Sequence, residues 1–194
     1  MNYYRYQDTY PFLERLKTAI PRIKDEVEAI IASKWTDWPE KDLYEGKEWK
    51  IIPFKGFGKI IKSSRDLCPF TYDLTMSLPG VETALISRVP AGMKIAQHRG
   101  WAELANRVLR CHIVIQTNNK CSLVVGGESR RVRPGHVIVF DDSKMHHASN
   151  EGDTDKIVLI LDFPRPHGIP KGKSDISKTP SLVKFLESFE SEAQ

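Results

Sequence analysis

Cysteine is scarce in this chain, and what is missing with it narrows the field. Cys68, Cys111 and Cys121, three thiols in 194 residues, form no CxxC pair and no even framework, so they read as reduced thiols in a reducing compartment. Long apolar runs are also absent. The longest, 137–140 and 157–161, are strand-length and far short of a membrane span. The opening Met1-Asn2-Tyr3-Tyr4-Arg5-Tyr6 has no apolar core of the kind a secretory leader carries, so no leader and a cytoplasmic location are expected. There is no P-loop, no dinucleotide glycine motif, and no Ser-His-Asp or Cys-His order that stands out, which weakens nucleotide-dependent and hydrolase readings. Repeats and low-complexity tracts are lacking too. Charge of one sign is only slightly in excess: 29 Lys and Arg against 25 Asp and Glu give +4. That excess is scattered along the chain, as on a solvated surface, and no nucleic-acid partner is expected from it.

What remains is an ordinary globular composition, 40% hydrophobic and 28% charged, long enough for one domain with a real core. Residues 12–31 carry apolar side chains at the 3.6-residue period of an amphipathic helix, with a break or kink expected at Pro21. Residues 35–46 are polar and turn-rich, a connecting loop. Short strands are expected at 49–54 and 56–61 and a short helix at 68–78, ended by Pro79-Gly80. The second half reads as strands at 83–89, 109–116, 121–125, 129–133, 136–140 and 156–163, several separated by turn pairs such as Gly126-Gly127 and Pro134-Gly135. Many short strands with tight turns imply an antiparallel sandwich or barrel, and 180–189 closes the chain as another amphipathic helix. The fold class is therefore α+β, mainly β. The organisation is a helical flank at 1–46, a β core at 47–165 and a tail with a helix at 166–194.

Two of the six histidines lie at strand edges. His98 precedes Arg99-Gly100, where an extended segment opens into a loop. His146 follows Phe140-Asp141-Asp142-Ser143. They are far apart in sequence, but a jelly-roll barrel brings strand ends to one mouth, and two imidazoles there suit an iron(II) ion. Each taken alone reads equally as a surface or hydrogen-bonding histidine. Strand alternation puts Arg110, His112 and Val114 on one face, and Lys156, Val158 and Ile160 on another. A cation on an inward apolar face needs an anion to meet it. The plainer reading of Lys156 is that it starts its strand and reaches out to water.

From Ser87 to Phe163 the sequence resembles the aspartyl/asparaginyl β-hydroxylase family of iron(II)- and 2-oxoglutarate-dependent oxygenases. The resemblance rests on Ser87-x-x-Pro90-x-Gly92, His98-Arg99-Gly100, Leu109-Arg110-Cys111-His112, Gly135, Phe140-Asp141-Asp142-Ser143 leading to His146, and Lys156; Trp49, Gly58 and Cys68-Pro69 match more loosely. It implies a double-stranded β-helix (jelly-roll, cupin-like) core from Trp49 to Phe163, which the helices read from periodicity at both ends would flank. It further implies His98 and His146 as iron ligands, Arg110 and Lys156 on the 2-oxoglutarate carboxylates, Ser87 and His112 as hydrogen-bonding partners, and Trp49 nearby. Dioxygen would be the oxidant, succinate a product, and an amino-acid or peptide-like molecule the hydroxylated substrate. Two departures are visible: Lys156 stands where the family usually has Arg, and His147 where it often has an acidic residue. Gly100 fills the place where most such oxygenases carry a third, carboxylate ligand; this family also has glycine there, with Glu103 an outside candidate for a third ligand. The competing reading is a cupin-like barrel that binds a small anion or a metal without turnover. Oligomeric state is not legible.

Overall fold

The architecture follows from one pair of long strands. The computed structural model describes residues 1–30 and 32–189. In it β7 (Val108–Gln116) and β12 (Lys156–Pro164) run antiparallel side by side at the centre of the larger sheet. Both faces of β12 are covered, and it is apolar almost throughout, as a strand between two layers must be. Around this pair the sheet order is β1 (Tyr3–Tyr4), β10 (Val137–Phe140), β7, β12, β5 (Thr83–Val89), β3 (Lys50–Gly56) and β2 (Thr36–Asp37), with β4 (Lys59–Ile60) hairpinned onto β3. The smaller sheet is β6 (Lys94–His98), β11 (His146–Asn150), β8 (Cys121–Val125) and β9 (Glu128–Arg131). Together they form the expected double-stranded β-helix.

Strand alternation divides the core in two. Leu109, Cys111 and Ile113 of β7 with Ile157, Leu159 and Leu161 of β12 face outward onto the helices, where they meet Leu13, Leu16, Ile23 and Val27. Val114, Val158 and Ile160 face inward onto Ile95, Leu123 and Val125 of the smaller sheet. The outer layer is α1 (Tyr6–Thr9), α2 (Glu14–Glu28) and α3 (Pro69–Met76). A one-turn α4 (Ala102–Ala105) follows His98, and α5 (Pro180–Ser188) packs at one end of the interior.

Several expectations shift. The first long helix starts as a 3-10 turn at Pro11–Leu13 and then runs unbroken through Pro21, whose ring lies on the exposed side; Ile31 lies outside the described residues. The supposed connecting loop at 35–46 holds β2 and a 3-10 turn and buries Trp38 and Tyr44. Two strands, β6 and β11, were not expected, and they carry the two histidines. Among the described residues no helix is long and apolar enough to cross a membrane.

Candidate active site

β6 and β11 are paired so that His98 and His146 stand directly opposite each other. Their rings are 4.2 Å apart between centroids. His98 Nδ1 sits 2.8 Å from the Ala96 carbonyl and His146 Nδ1 2.8 Å from the Lys144 carbonyl. A carbonyl only accepts, so each Nδ1 carries the proton and each Nε2 presents a lone pair, the tautomer a metal ligand needs. Burial pushes both imidazoles down to about 4, with His146 adding to the effect on His98. Both rings are therefore neutral near pH 7 and open to a cation.

The turn between β10 and His146 is fixed from both sides. The Asp141 carboxylate accepts from the Ser143 hydroxyl (2.6 Å) and from Arg165 Nη2 (2.5 Å). Burial would raise this carboxyl, but those donors outweigh it and hold it low. The neighbouring Asp142 is fully buried, with Oδ1 2.8 Å from Arg110 Nη1 and 3.4 Å from His146 Nε2, yet without a hydrogen-bond partner of good geometry. Burial pushes its carboxyl up against the pull of Arg110.

Gly100 explains why Asp142 can sit there. The Gly100 N–H donates to the Asp142 carbonyl (2.8 Å), and a Cβ on Gly100 would collide with the Asp142 carboxylate and lie 2.8 Å from Ala105 Cβ. The space that a side chain two residues after His98 would fill is taken by a carboxylate from another strand connection. Glu103, the outside candidate for a third ligand, instead pairs with Lys178 at 2.7 Å on the surface. Among the described residues no group of three or more His, Cys, Asp or Glu is arranged to hold an ion.

The two inward cations differ sharply. Arg110 is held bidentately by Asp162, with Nε and Nη2 each 2.9 Å from a carboxylate oxygen, and again by Asp142. Lys156 is only 2% exposed, and among the described residues no carboxylate or hydrogen-bond acceptor meets its ammonium. Burial drags it down to about 8. It lines the same cavity as His98, His146, Ser87, Trp49 and His112, and the Trp49 indole donates to the Ser87 hydroxyl (2.8 Å). His112 packs edge-on against Phe140, its imidazole held well below its ordinary range by burial and then by Lys156. The structure thus gathers all seven sequence-picked residues around one cavity and narrows the part open to Arg110, whose charge is already balanced. His147 lines the cavity as well.

Sequence reading missed Asp162, the pairing of Asp142 with Gly100, and an aromatic wall. Trp38 stacks on Trp49 (4.4 Å) and faces Trp101 (5.9 Å). The first had a signal, since Asp162 interrupts an otherwise apolar strand; the others join residues far apart in the chain.

The model of the family described as aspartyl/asparaginyl beta-hydroxylase matches residues 17–166. The ornithine lipid ester-linked acyl 2-hydroxylase of Rhizobium tropici is 29% identical over 171 residues, which are 81% of this chain and 59% of that protein. Aspartate beta-hydroxylase domain-containing protein 2 of Mus musculus is 33% identical over 129 residues, 62% of this chain and 37% of that protein. The chain thus spans less than two thirds of the length of these relatives. An oxidoreductase of the 2OG-Fe(II) oxygenase family from Burkholderia pseudomallei superposes with a TM-score of 0.52 at 12% identity, over 79% of this chain and 82% of that one. That likeness is one of fold.

Proposed function

The chain belongs to the aspartyl/asparaginyl beta-hydroxylase family, and from that premise we propose that it is an iron(II)- and 2-oxoglutarate-dependent hydroxylase acting on a C–H bond of an amino-acid or peptide-like substrate. The observation that carries the reading is the buried, unpartnered ammonium of Lys156 in the same cavity as two histidines with free Nε2 atoms. A buried charge left alone is costly, so it is retained where an anion arrives to meet it. The donor set also fits the metal, since neutral imidazole suits iron(II). When bound, iron with 2-oxoglutarate and dioxygen supplies oxidative decarboxylation to succinate coupled to hydroxylation of a C–H bond.

The chain's own residues have distinct tasks. His98 and His146 offer Nε2 to the metal. Lys156 holds the far carboxylate of the cosubstrate, with the Ser87 hydroxyl oriented by Trp49 beside it. Arg110, fixed by Asp162, positions Asp142 next to His146 rather than anchoring the cosubstrate alone. Neutral His112 keeps a second positive charge away from Lys156. The tryptophan wall excludes water from the site. The relatives are named for different targets, a lipid acyl group in one and aspartate in the other.

Release of succinate from 2-oxoglutarate in the presence of iron(II) tests the reading, with amino acids and peptides screened for stimulation. Binding of iron and 2-oxoglutarate with no succinate under any substrate would leave a cupin-like binding protein instead.

A further inference from the structure

The ladder between β6 and β11 does not by itself hold the two histidines in place. Its register shifts between His146 and Ala148, an irregularity of the kind that interrupts pairing and bends a strand, and it falls beside the His98–His146 pair. Both chains also leave the sheet at that point, since β6 ends at His98 and β11 begins at His146. The spacing of the rings therefore depends on what holds the two connections, Gly100 two residues after His98 and Ser143 three residues before His146.

One stretch of chain touches both. Residues 171–179 have no regular structure, and Ser174 alone among them is buried. Its buried backbone needs partners, and the Asn106 side chain supplies two: Oδ1 accepts from Ser174 N (2.7 Å) and Nδ2 donates to the Ser174 carbonyl (2.9 Å). An amide side chain offers donor and acceptor side by side, as this requires. The Ser174 hydroxyl then donates to the Gly100 carbonyl (2.5 Å), and the Gly100 N–H donates to the Asp142 carbonyl (2.8 Å). On the other connection, Gly172 N donates to the Asn106 carbonyl (2.9 Å), and a Cβ on Gly172 would stand 2.5 Å from the Ser143 hydroxyl oxygen. Lys173 N donates to that same oxygen (3.3 Å). Ser143 precedes Lys144, whose carbonyl orients the His146 ring. The stretch lies beyond residue 166, where the match to the family ends.

We propose that residues 172–176 form a strap that sets the separation of the His98 and His146 imidazoles, with Asn106 and Ser174 as its positioning residues. Neither side chain lines the cavity; they act through Gly100 and Ser143. The proposal rests on the reading of the two histidines as metal ligands and deepens it.

The test titrates the full chain with manganese(II) by calorimetry and records the manganese electron paramagnetic resonance spectrum, at a temperature where every variant is folded. Ser174→Ala removes one hydroxyl and frees the Gly100 carbonyl. Asn106→Leu keeps the volume of the amide and removes both of its bonds to Ser174. Each is expected to weaken manganese binding about tenfold or more, as loss of a group that orients ligands from behind does, and to broaden the spectrum. Ser174→Thr keeps the hydroxyl and should stay close to the parent. Glu26→Ala is the structural control: its carboxylate accepts from Phe70 N and Thr71 N at the start of α3, so its loss should lower the melting temperature and leave affinity and spectrum unchanged. Unchanged affinity and spectrum in both Ser174→Ala and Asn106→Leu, whatever their melting temperatures, would overturn the proposal. An equal loss of affinity in Glu26→Ala would overturn it too, since destabilisation anywhere would then suffice. Should Asn106→Leu fail to fold, Ser174→Ala decides alone. A parent protein that takes up no manganese would sink the hydroxylase reading itself, an outcome distinct from a parent and variants that all bind equally tightly.

Discussion

Lys156 is a positive charge kept from water, and its removal should therefore do two opposite things. Lys156→Met is expected to raise the melting temperature of the empty protein, since an unpaired buried charge is replaced by an apolar chain of similar length. Lys156→Ala should weaken 2-oxoglutarate binding, measured anaerobically with manganese, by roughly thirtyfold or more, the effect of about 2–5 kcal/mol for an orphaned partner. Binding should also respond to alkali. With the free ammonium titrating at about 8, the site above that pH must recapture a proton to hold a dianion, and affinity should fall up to about tenfold per pH unit. Lys156→Arg should remove that dependence, because a guanidinium stays charged. Gly100 answers to a different constraint: Gly100→Ala drives a methyl into the Asp142 carboxylate, so it should lower both stability and manganese affinity, and Asp142→Ala in the same chain should restore part of the stability. Strand alternation left Lys156 open between an inward position and a reach to water, the plainer reading, and its burial overturns that plainer reading. The Asp142–Gly100 contact was not legible, because it joins residues 42 positions apart through a fold the composition does not specify.

Elements differed in legibility according to how many of their faces are buried. β7, β12 and β5 are covered on both sides and announce themselves as apolar runs. β6 reads Lys-Ile-Ala-Gln-His with two buried-facing candidates at most, and β11 reads His-His-Ala-Ser-Asn; a strand whose outer face is wet and whose inner face carries ligands has little apolar pattern to show. The helices hold a device that no local motif betrays. Cys68 precedes α3 and offers no side-chain cap. Glu26 of α2 reaches across instead, its carboxylate accepting from Phe70 N (2.7 Å), Thr71 N (2.9 Å) and the Thr71 hydroxyl (2.6 Å). A carboxylate there satisfies orphan donors and meets the positive end of the helix. Glu26→Ala is expected to cost about 1–2 kcal/mol in urea denaturation, while Glu28→Ala, on the same helix but in a surface pair with Lys24, should cost well under 1 kcal/mol.

For the molecule as a whole, metal and proton compete for the same two rings. Manganese at a hundredfold excess over its Kd should stabilise the protein by about 2.7 kcal/mol, read as a rise in Tm. His98→Ala and His146→Ala should abolish that rise, whereas His136→Ala and His167→Ala should keep it. Because burial holds His98 and His146 down to about 4, manganese affinity should stay nearly level from pH 8 to about 5. An exposed pair would lose it below about 6.5. The metal-free protein should itself weaken as pH falls from about 6.5 towards 4, since the unfolded chain then binds protons that the folded rings refuse. The sheet order has a further consequence, in time rather than in energy. The strand at the middle of the larger sheet, β12, is the last one made, and the first, β1, pairs with β10. At about 5–20 residues per second the ribosome needs roughly 2–10 s to pass from residue 116, the end of β7, to residue 164, the end of β12. Through that interval β5 and β7 are complete but each lacks β12, so the edge that each will give to β12 stands open. The nascent chain must therefore be kept from pairing with its neighbours on the polysome, and conditions that slow elongation near residues 156–164 should lower the soluble yield before any folded molecule exists to be destabilised.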